Sequence, residues 1–146
     1  MYPRLFSQLF SWVYTFEPDA LNFYCLSQNC DTDNVIKFNA ALGKFYQMVS
    51  LNRPSMDNMG MHSIKDEPGT IPILLLNDFF PKECNLLQLD VEGYEPLVLD
   101  GGMEFIIRYE PVIALETVTQ PMRDILNSIG YREVDKSVSD TIFVKD

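Results

Sequence analysis

Short apolar runs alternate with helical patterns along almost the whole chain, and this order leaves few folds open. The runs that predict strands are Trp12–Phe16, Val35–Phe38, Phe45–Leu51, Ile71–Leu76, Leu86–Val91 and Pro111–Glu116, with Tyr131–Val134 and Thr141–Lys145 as a terminal antiparallel pair. Helices are predicted over Ala20–Asn29, from Pro96 to about Tyr109 with a break at Gly101, and over Pro121–Ser128. Because strands and helices of these lengths alternate, we predict an α/β fold with a mostly parallel sheet and helices on both faces.

The length of the chain fits one domain. Folding of 146 residues buries roughly 70% of the surface of the unfolded chain, and no linker, internal repeat or low-complexity tract divides the sequence. We therefore predict a single domain over residues 1–146. A polar, methionine-rich stretch, Asn52–Gly69, predicts a mobile loop within that domain.

Charge and composition argue against several classes of protein. The formal net charge of −10 at pH 7 argues against a nucleic-acid groove, where lysine and arginine neutralise phosphates. No stretch approaches the ~20 apolar residues that a membrane span needs. Cys25, Cys30 and Cys84 match no metal or redox spacing, so we predict no metal site and reduced thiols in a cytoplasmic protein.

Polar residues that follow the predicted strands are the candidates for a ligand site, because α/β sheets bind ligands beyond the carboxyl ends of their strands. These residues are Glu17, Asn39, Asp90, Glu92 and Glu116. Glu17 offers two carboxylate oxygens, which suit the two neighbouring hydroxyls of a ribose. The alternative for Glu17 is a capping or helix-dipole role beside Asp19.

Four motifs, taken in order, are more specific than any single residue. They are VYTFEPD at Val13–Asp19, NVIKFNAALG at Asn34–Gly43, LLQLDVEGYEPLVLDGG at Leu86–Gly102 and YEPVIALE at Tyr109–Glu116. In order and spacing they resemble methyltransferases of the FkbM family, most clearly in LDVEGYE, where that family has an Asp-x-Glu-Gly-x-Glu pattern. The resemblance implies a Rossmann-like fold of the class I methyltransferase type. It also implies S-adenosylmethionine-dependent methylation of a hydroxyl on a sugar, glycolipid or similar small acceptor.

The resemblance assigns residue roles by position. Glu17, followed by Pro18, matches the ribose-binding acid of the family. Asn39 and Ala40 match the edge that lies along the adenine. Asp90 matches the residue beside the transferable methyl group. S-adenosylmethionine is therefore the expected cofactor, and a small-molecule or glycan acceptor is the expected partner.

A hydroxyl acceptor benefits from a base that removes its proton. The candidates are Asp90, Glu92, Glu95 and His62. For Glu92 and Glu95 the alternative is a charge that stabilises the N-terminus of the helix from Pro96, and for His62 it is a solvated loop residue. Glu116 could be a second carboxylate at the acceptor site or a buried residue held by backbone N–H groups.

One part of the FkbM pattern has no counterpart before Trp12, namely the first strand and its glycine-rich donor loop. Residues 1–11 instead predict the helix that follows that loop, with Leu5, Leu9 and Trp12 on one face. The missing strand would lie between the Trp12–Phe16 and Leu86–Val91 strands, so we expect an N-terminally truncated sheet whose exposed edge could pair with another copy of the chain. A second hypothesis follows, in which the chain is a catalytically inactive methyltransferase fold that serves as a binding module.

Overall fold

The computed structural model describes residues 2–52, 63–137 and 139–146. The chain divides into two compact units: Met1–Leu42 with Tyr46–Leu74, and Gly43–Phe45 with Leu75–Asp146. None of the helices in the described ranges is long and apolar enough to cross a membrane. That residues 1–146 behave as one domain stays a prediction.

The first unit is built from short helices and strands. In chain order they are α1 (Tyr2–Phe6), β1 (Val13–Phe16), α2 (Ala20–Asn29), β2 (Val35–Phe38), β3 (Ala41–Leu42), β4 (Met48–Asn52), β5 (Ser63–Pro68) and β6 (Ile71–Leu74). β1 and β2 pair in parallel, with Val13 opposite Val35 and Phe16 opposite Phe38. The other four strands form a second sheet in the order β3-β6-β4-β5.

A helix is present near the N-terminus as predicted, but it is shorter than residues 1–11, and the predicted face of the segment is not the one that is buried. The helix covers Tyr2–Phe6 only, and Leu5, Leu9 and Trp12 are 52%, 68% and 60% exposed. Phe6 and Phe10 pack instead against a core cluster of Val13, Leu26, Cys30 and Val35. Aromatic side chains bury a large apolar area, so the two rings, which are four residues apart, face the core in place of Leu5, Leu9 and Trp12.

The predicted loop Asn52–Gly69 is wrong at Asn52 and at Ser63–Pro68, which lie in strands, and residues 53–62 lie outside the described residues. β5 covers Ser63–Pro68 and pairs antiparallel with β4. The sequence SIKDEP has little apolar content, so its strand conformation comes from the ladder with β4 rather than from its own pattern. The strand predicted over Phe45–Leu51 is correspondingly shifted to Met48–Asn52.

The second unit follows the predicted order of elements closely. It contains a 3₁₀ helix (Leu76–Asp78), β7 (Leu86–Leu89), α3 (Glu95–Gly101), α4 (Met103–Tyr109), β8 (Val112–Leu115), α5 (Gln120–Ser128), β9 (Tyr131–Lys136) and β10 (Thr141–Lys145). Its sheet has the order β7-β8-β10-β9. β7 and β8 are parallel, and β10 runs antiparallel to both β8 and β9. The predicted C-terminal antiparallel pair is thereby confirmed.

The prediction of a mostly parallel sheet is wrong, although the α/β class is correct. Within the described ranges the parallel pairs are β1-β2, β3-β6 and β7-β8, and the remaining pairs are antiparallel because β4 and β10 run against their neighbours. In the same ranges β1 pairs only with β2, and β7 pairs only with β8. Each of these two strands therefore has one edge without a strand partner there.

Gly101 is required by a close approach of backbone to backbone. A Cβ at this position would lie 2.0 Å from the carbonyl oxygen of Gly43. We expect Gly101→Ala to lower the free energy of unfolding by roughly 2–3 kcal/mol, as overpacking against backbone does, in a urea titration followed by circular dichroism. Asp100→Ala, at the preceding exposed position, removes only a surface ion pair with Lys44 and should cost less than about 1 kcal/mol. Equal losses in the two variants would contradict the packing argument.

Candidate active site

Glu17 lies directly after β1 and is half-buried. Its Oε1 accepts a hydrogen bond from the backbone N–H of Asp19 at 2.8 Å. Asp19, which is 2% exposed, in turn accepts from the backbone N–H groups of Leu21 and Asn22 at the start of α2. The capping role that the sequence left open for Glu17 is therefore present, and ribose binding by Glu17 stays a prediction.

Asn39 follows β2 and ties the ends of β1 and β2 together. Its Nδ2 donates to the carbonyl oxygens of Glu17 at 2.9 Å and Pro18 at 3.3 Å. Asn39 is exposed, whereas Ala40 is 3% exposed and belongs to the core. Residues 17, 18 and 39, which are predicted to bind the methyl donor, therefore lie together at the carboxyl end of this strand pair, and Ala40 is the buried residue that follows Asn39.

A small pocket of about 120 Å³ opens beside these residues. It is lined by Pro18, Ala20, Asn39, Thr70, Ile71 and Pro72. The volume is below the roughly 300 Å³ of pockets that enclose a whole ligand, so the pocket can hold only one part of a donor molecule. Sequence reasoning missed residues 70–72 as site residues, because only the pairing of β6 with β3 and β4 brings them to this place.

A tight turn follows β7 and carries two of the predicted catalytic residues. Asp90 leads into it, and the backbone N–H of Tyr94 donates to the carbonyl oxygen of Val91 at 3.1 Å. Both central residues have positive φ, 51° at Glu92 and 92° at Gly93, as a type I′ turn requires. A glutamate in this left-handed region is strained by roughly 1–2 kcal/mol. The backbone conformation of Glu92 sets the direction in which its side chain leaves the turn.

Asp90, Glu92 and Glu116 form a cluster that we call the acidic centre. All three side chains are exposed, and one carboxylate oxygen from each lies within 4.8 Å of the others. The parallel register explains the meeting, since Leu89 is opposite Leu115 and the next residues on the two strands are Asp90 and Glu116. Glu116 is thus an exposed strand-end carboxylate rather than the buried one that the sequence left open.

Carboxylates this close disfavour full ionisation. The pKa of Glu116 is raised from 4.5 to about 7, chiefly by a hydrogen bond with Asp90 and by the negative charge of Asp90. Burial and the charges of Glu92 and Glu95 raise the pKa further. Glu116 therefore keeps its proton to a higher pH than a free glutamate does.

Glu95 begins α3 behind this turn. It is fully buried, and its Oε1 accepts a long hydrogen bond of 3.4 Å from the backbone N–H of Val91. Its Oε2 is buried without a hydrogen-bond partner among the described residues. The predicted candidate His62 lies outside the described residues, so its role as a base stays a prediction.

We expect the contribution of Glu116 to the free energy of unfolding to fall as the pH rises from about 4.5 to about 7. Over this interval the unfolded chain has lost the Glu116 proton and the folded chain still holds it, so stability decreases with pH and levels off above the folded pKa. Urea titrations at about pH 5 and about pH 8 measure the difference. Glu116→Gln, which cannot titrate, should show a smaller decrease, and an identical decrease would contradict the assignment.

Comparison with known protein families assigns the chain to one of them. The family profile of the methyltransferase FkbM domain matches residues 10–133, which is well over half of the chain. The chain belongs to the FkbM methyltransferase family. The match confirms the family that the sequence motifs resemble.

The FkbM assignment extends to a solved structure. The crystal structure of methyltransferase FkbM from Methylobacillus flagellatus KT is similar with a TM-score of 0.54 at 20% identity, over 92% of this chain and 36% of that chain. At this identity the likeness shows the α/β fold alone, and the chain spans about a third of the length of that FkbM protein. No curated protein sequence matches the chain closely enough to count as a relative.

Proposed function

We propose that this chain is an S-adenosylmethionine-dependent O-methyltransferase domain that acts on a hydroxyl of a sugar, glycolipid or similar small acceptor. The observation that carries the proposal is the acidic centre at the carboxyl ends of β7 and β8 in a member of the FkbM family. Ligands of α/β sheets bind at such ends, and a hydroxyl acceptor benefits from a base, here an ionised carboxylate, that takes its proton.

The residues proposed to bind S-adenosylmethionine all lie in the first unit. The carboxylate of Glu17 would bind the ribose hydroxyls, and the pocket lined by Pro18, Asn39 and Thr70 would take part of the adenosine. Asn39 already fixes the carbonyls of Glu17 and Pro18, so this edge is held in place before a donor arrives. Preorganisation of this kind lowers the ordering cost of binding.

The methyl-transfer half concerns the second unit. The methyl group of a sulfonium is already a good electrophile, so the main task is to hold an acceptor oxygen in line with it at roughly 3 Å. Asp90 is the residue that the family pattern places beside the methyl group, and a carboxylate oxygen of Glu116 lies close to one of Asp90 in the acidic centre. Removal of the hydroxyl proton by this pair supplies roughly 10²–10⁴ in rate.

Transfer of labelled methyl groups from S-adenosylmethionine to a panel of sugars and glycolipids tests this function. We expect the label in a methyl ether formed on a hydroxyl of at least one acceptor, identified by mass spectrometry. Binding of donor with no label in any acceptor would instead support the inactive binding module.

Replacement of Glu17 tests the donor half separately. We expect Glu17→Ala to weaken the binding of adenosine by about 1–3 kcal/mol, because two hydrogen bonds to a charged acceptor are lost. Glu17→Gln is the matched control for folding, since its amide oxygen can still accept from the N–H of Asp19 while the charge is absent. Calorimetry measures both, and unchanged affinity in a folded Glu17→Ala variant would rule out the ribose role.

A further inference from the structure

We propose that the acidic centre binds a hard divalent cation through the carboxylates of Asp90, Glu92 and Glu116. The sequence predicts no metal site, because its cysteines have no metal-binding spacing and Glu116 is distant in the chain from Asp90 and Glu92. The fold brings them together at the ends of two parallel strands and one strained turn.

The three carboxylates are close enough together to bind one divalent cation. One oxygen from each residue lies within 4.8 Å of the others. Two oxygens bound to the same Ca²⁺ are at most about 4.8 Å apart, twice the roughly 2.4 Å of a Ca–O bond, and two bound to the same Mg²⁺ are at most about 4.2 Å apart. The three exposed side chains can therefore reach a common ion.

Glu95 provides the second, independent observation. It is fully buried, its Oε2 has no hydrogen-bond partner within the described ranges, and its Oε1 accepts from Val91, which lies between Asp90 and Glu92 in the chain. The Glu95 carboxylate therefore lies against the turn that carries Asp90 and Glu92, and its negative charge raises the pKa of Glu116. A buried carboxylate with an orphan oxygen is unfavourable unless a positive charge is nearby.

A cation at this place would compensate the four clustered negative charges at once. Exposed carboxylate oxygens are the ligands that hard divalent cations prefer. It would also offer open coordination positions on the solvent side, because the three protein ligands lie on exposed side chains. An acceptor hydroxyl bound there would lose its proton more readily.

Titration of the 146-residue chain with CaCl₂, MgCl₂ and MnCl₂, each alone, tests the proposal. Calorimetry and the loss of the free-ion Mn²⁺ signal in electron paramagnetic resonance should both show saturable binding of one ion per chain. We expect Glu116→Gln and Glu92→Gln each to weaken this binding at least tenfold. Glu104→Gln, which removes an exposed carboxylate on α4 away from the cluster, should leave it unchanged.

Each outcome decides the question. Tight binding that is lost in Glu116→Gln and Glu92→Gln, both folded by circular dichroism, supports the site. Absence of saturable binding, or equal binding by these variants and Glu104→Gln, overturns it. Because neither donor nor acceptor is present in the titration, the result does not depend on the proposed methyl transfer.

Discussion

Asp90→Asn is expected to reduce the rate of methyl transfer by roughly 10²–10⁴ at saturating donor, the range that loss of a positioned proton acceptor produces. Asp90 comes directly after β7, as Glu116 comes directly after β8, and its carboxylate belongs to the acidic centre. The amide of asparagine has nearly the same shape but neither the charge nor the proton affinity. Donor affinity should change less than about threefold, because the predicted donor contacts are at Glu17, Pro18 and Asn39.

The control for Asp90→Asn is Glu104→Gln, which neutralises an acid outside the acidic centre. Turnover and donor dissociation constant are measured separately for each variant, so that a loss in the transition state is distinguished from a loss of binding. If donor affinity and turnover fall together in folded Asp90→Asn, the residue has a binding or structural role and the assignment is wrong.

A polypeptide limited to these 146 residues is expected to bind S-adenosylmethionine with a dissociation constant nearer millimolar than micromolar. It contains no glycine-rich loop of the kind that holds the methionine end of the donor through backbone N–H groups. Each charge-assisted hydrogen bond that such a loop makes is worth about 1.5–3 kcal/mol. Two of them together correspond to roughly a hundredfold or more in affinity.

An N-terminal extension tests this expectation. A strand and glycine-rich loop of the FkbM pattern, placed before residue 1, should tighten donor binding at least a hundredfold. An extension of equal length with the loop glycines replaced by alanine is the control, because a Cβ prevents the close backbone approach. A low-micromolar constant for the unextended polypeptide would contradict the expectation.

The sequence predicts best where an element is defined by its own residues. The run predicted as a strand over Leu86–Val91 is a strand over Leu86–Leu89, and the Glu92-Gly93 pair forms the turn that follows. The α/β class and the terminal antiparallel pair follow from the same kind of local pattern. Asp90 and Glu92 were identified as candidates because they come directly after such a strand.

Features that depend on distant residues could not be read in the same way. β5 is a strand because β4 pairs with it, and the pocket residues 70–72 meet Asn39 only through the second sheet of the first unit. The meeting of Glu116 with Asp90 needs the parallel register of β7 and β8. The orphan oxygen of Glu95 is a property of packing, for which the sequence contains no signal.

The most direct test of the account is a nuclear magnetic resonance titration of the ¹⁵N-labelled chain with adenosine. We expect chemical-shift changes that saturate and that cluster at the backbone amides of the non-proline residues of the pocket beside Glu17. These are Ala20, Asn39, Thr70 and Ile71. The same titration of Glu17→Ala should need several-fold more adenosine to reach the same shifts. Shift changes that are absent from these amides, or that are identical in Glu17→Ala, would contradict the claim that this strand end holds the donor.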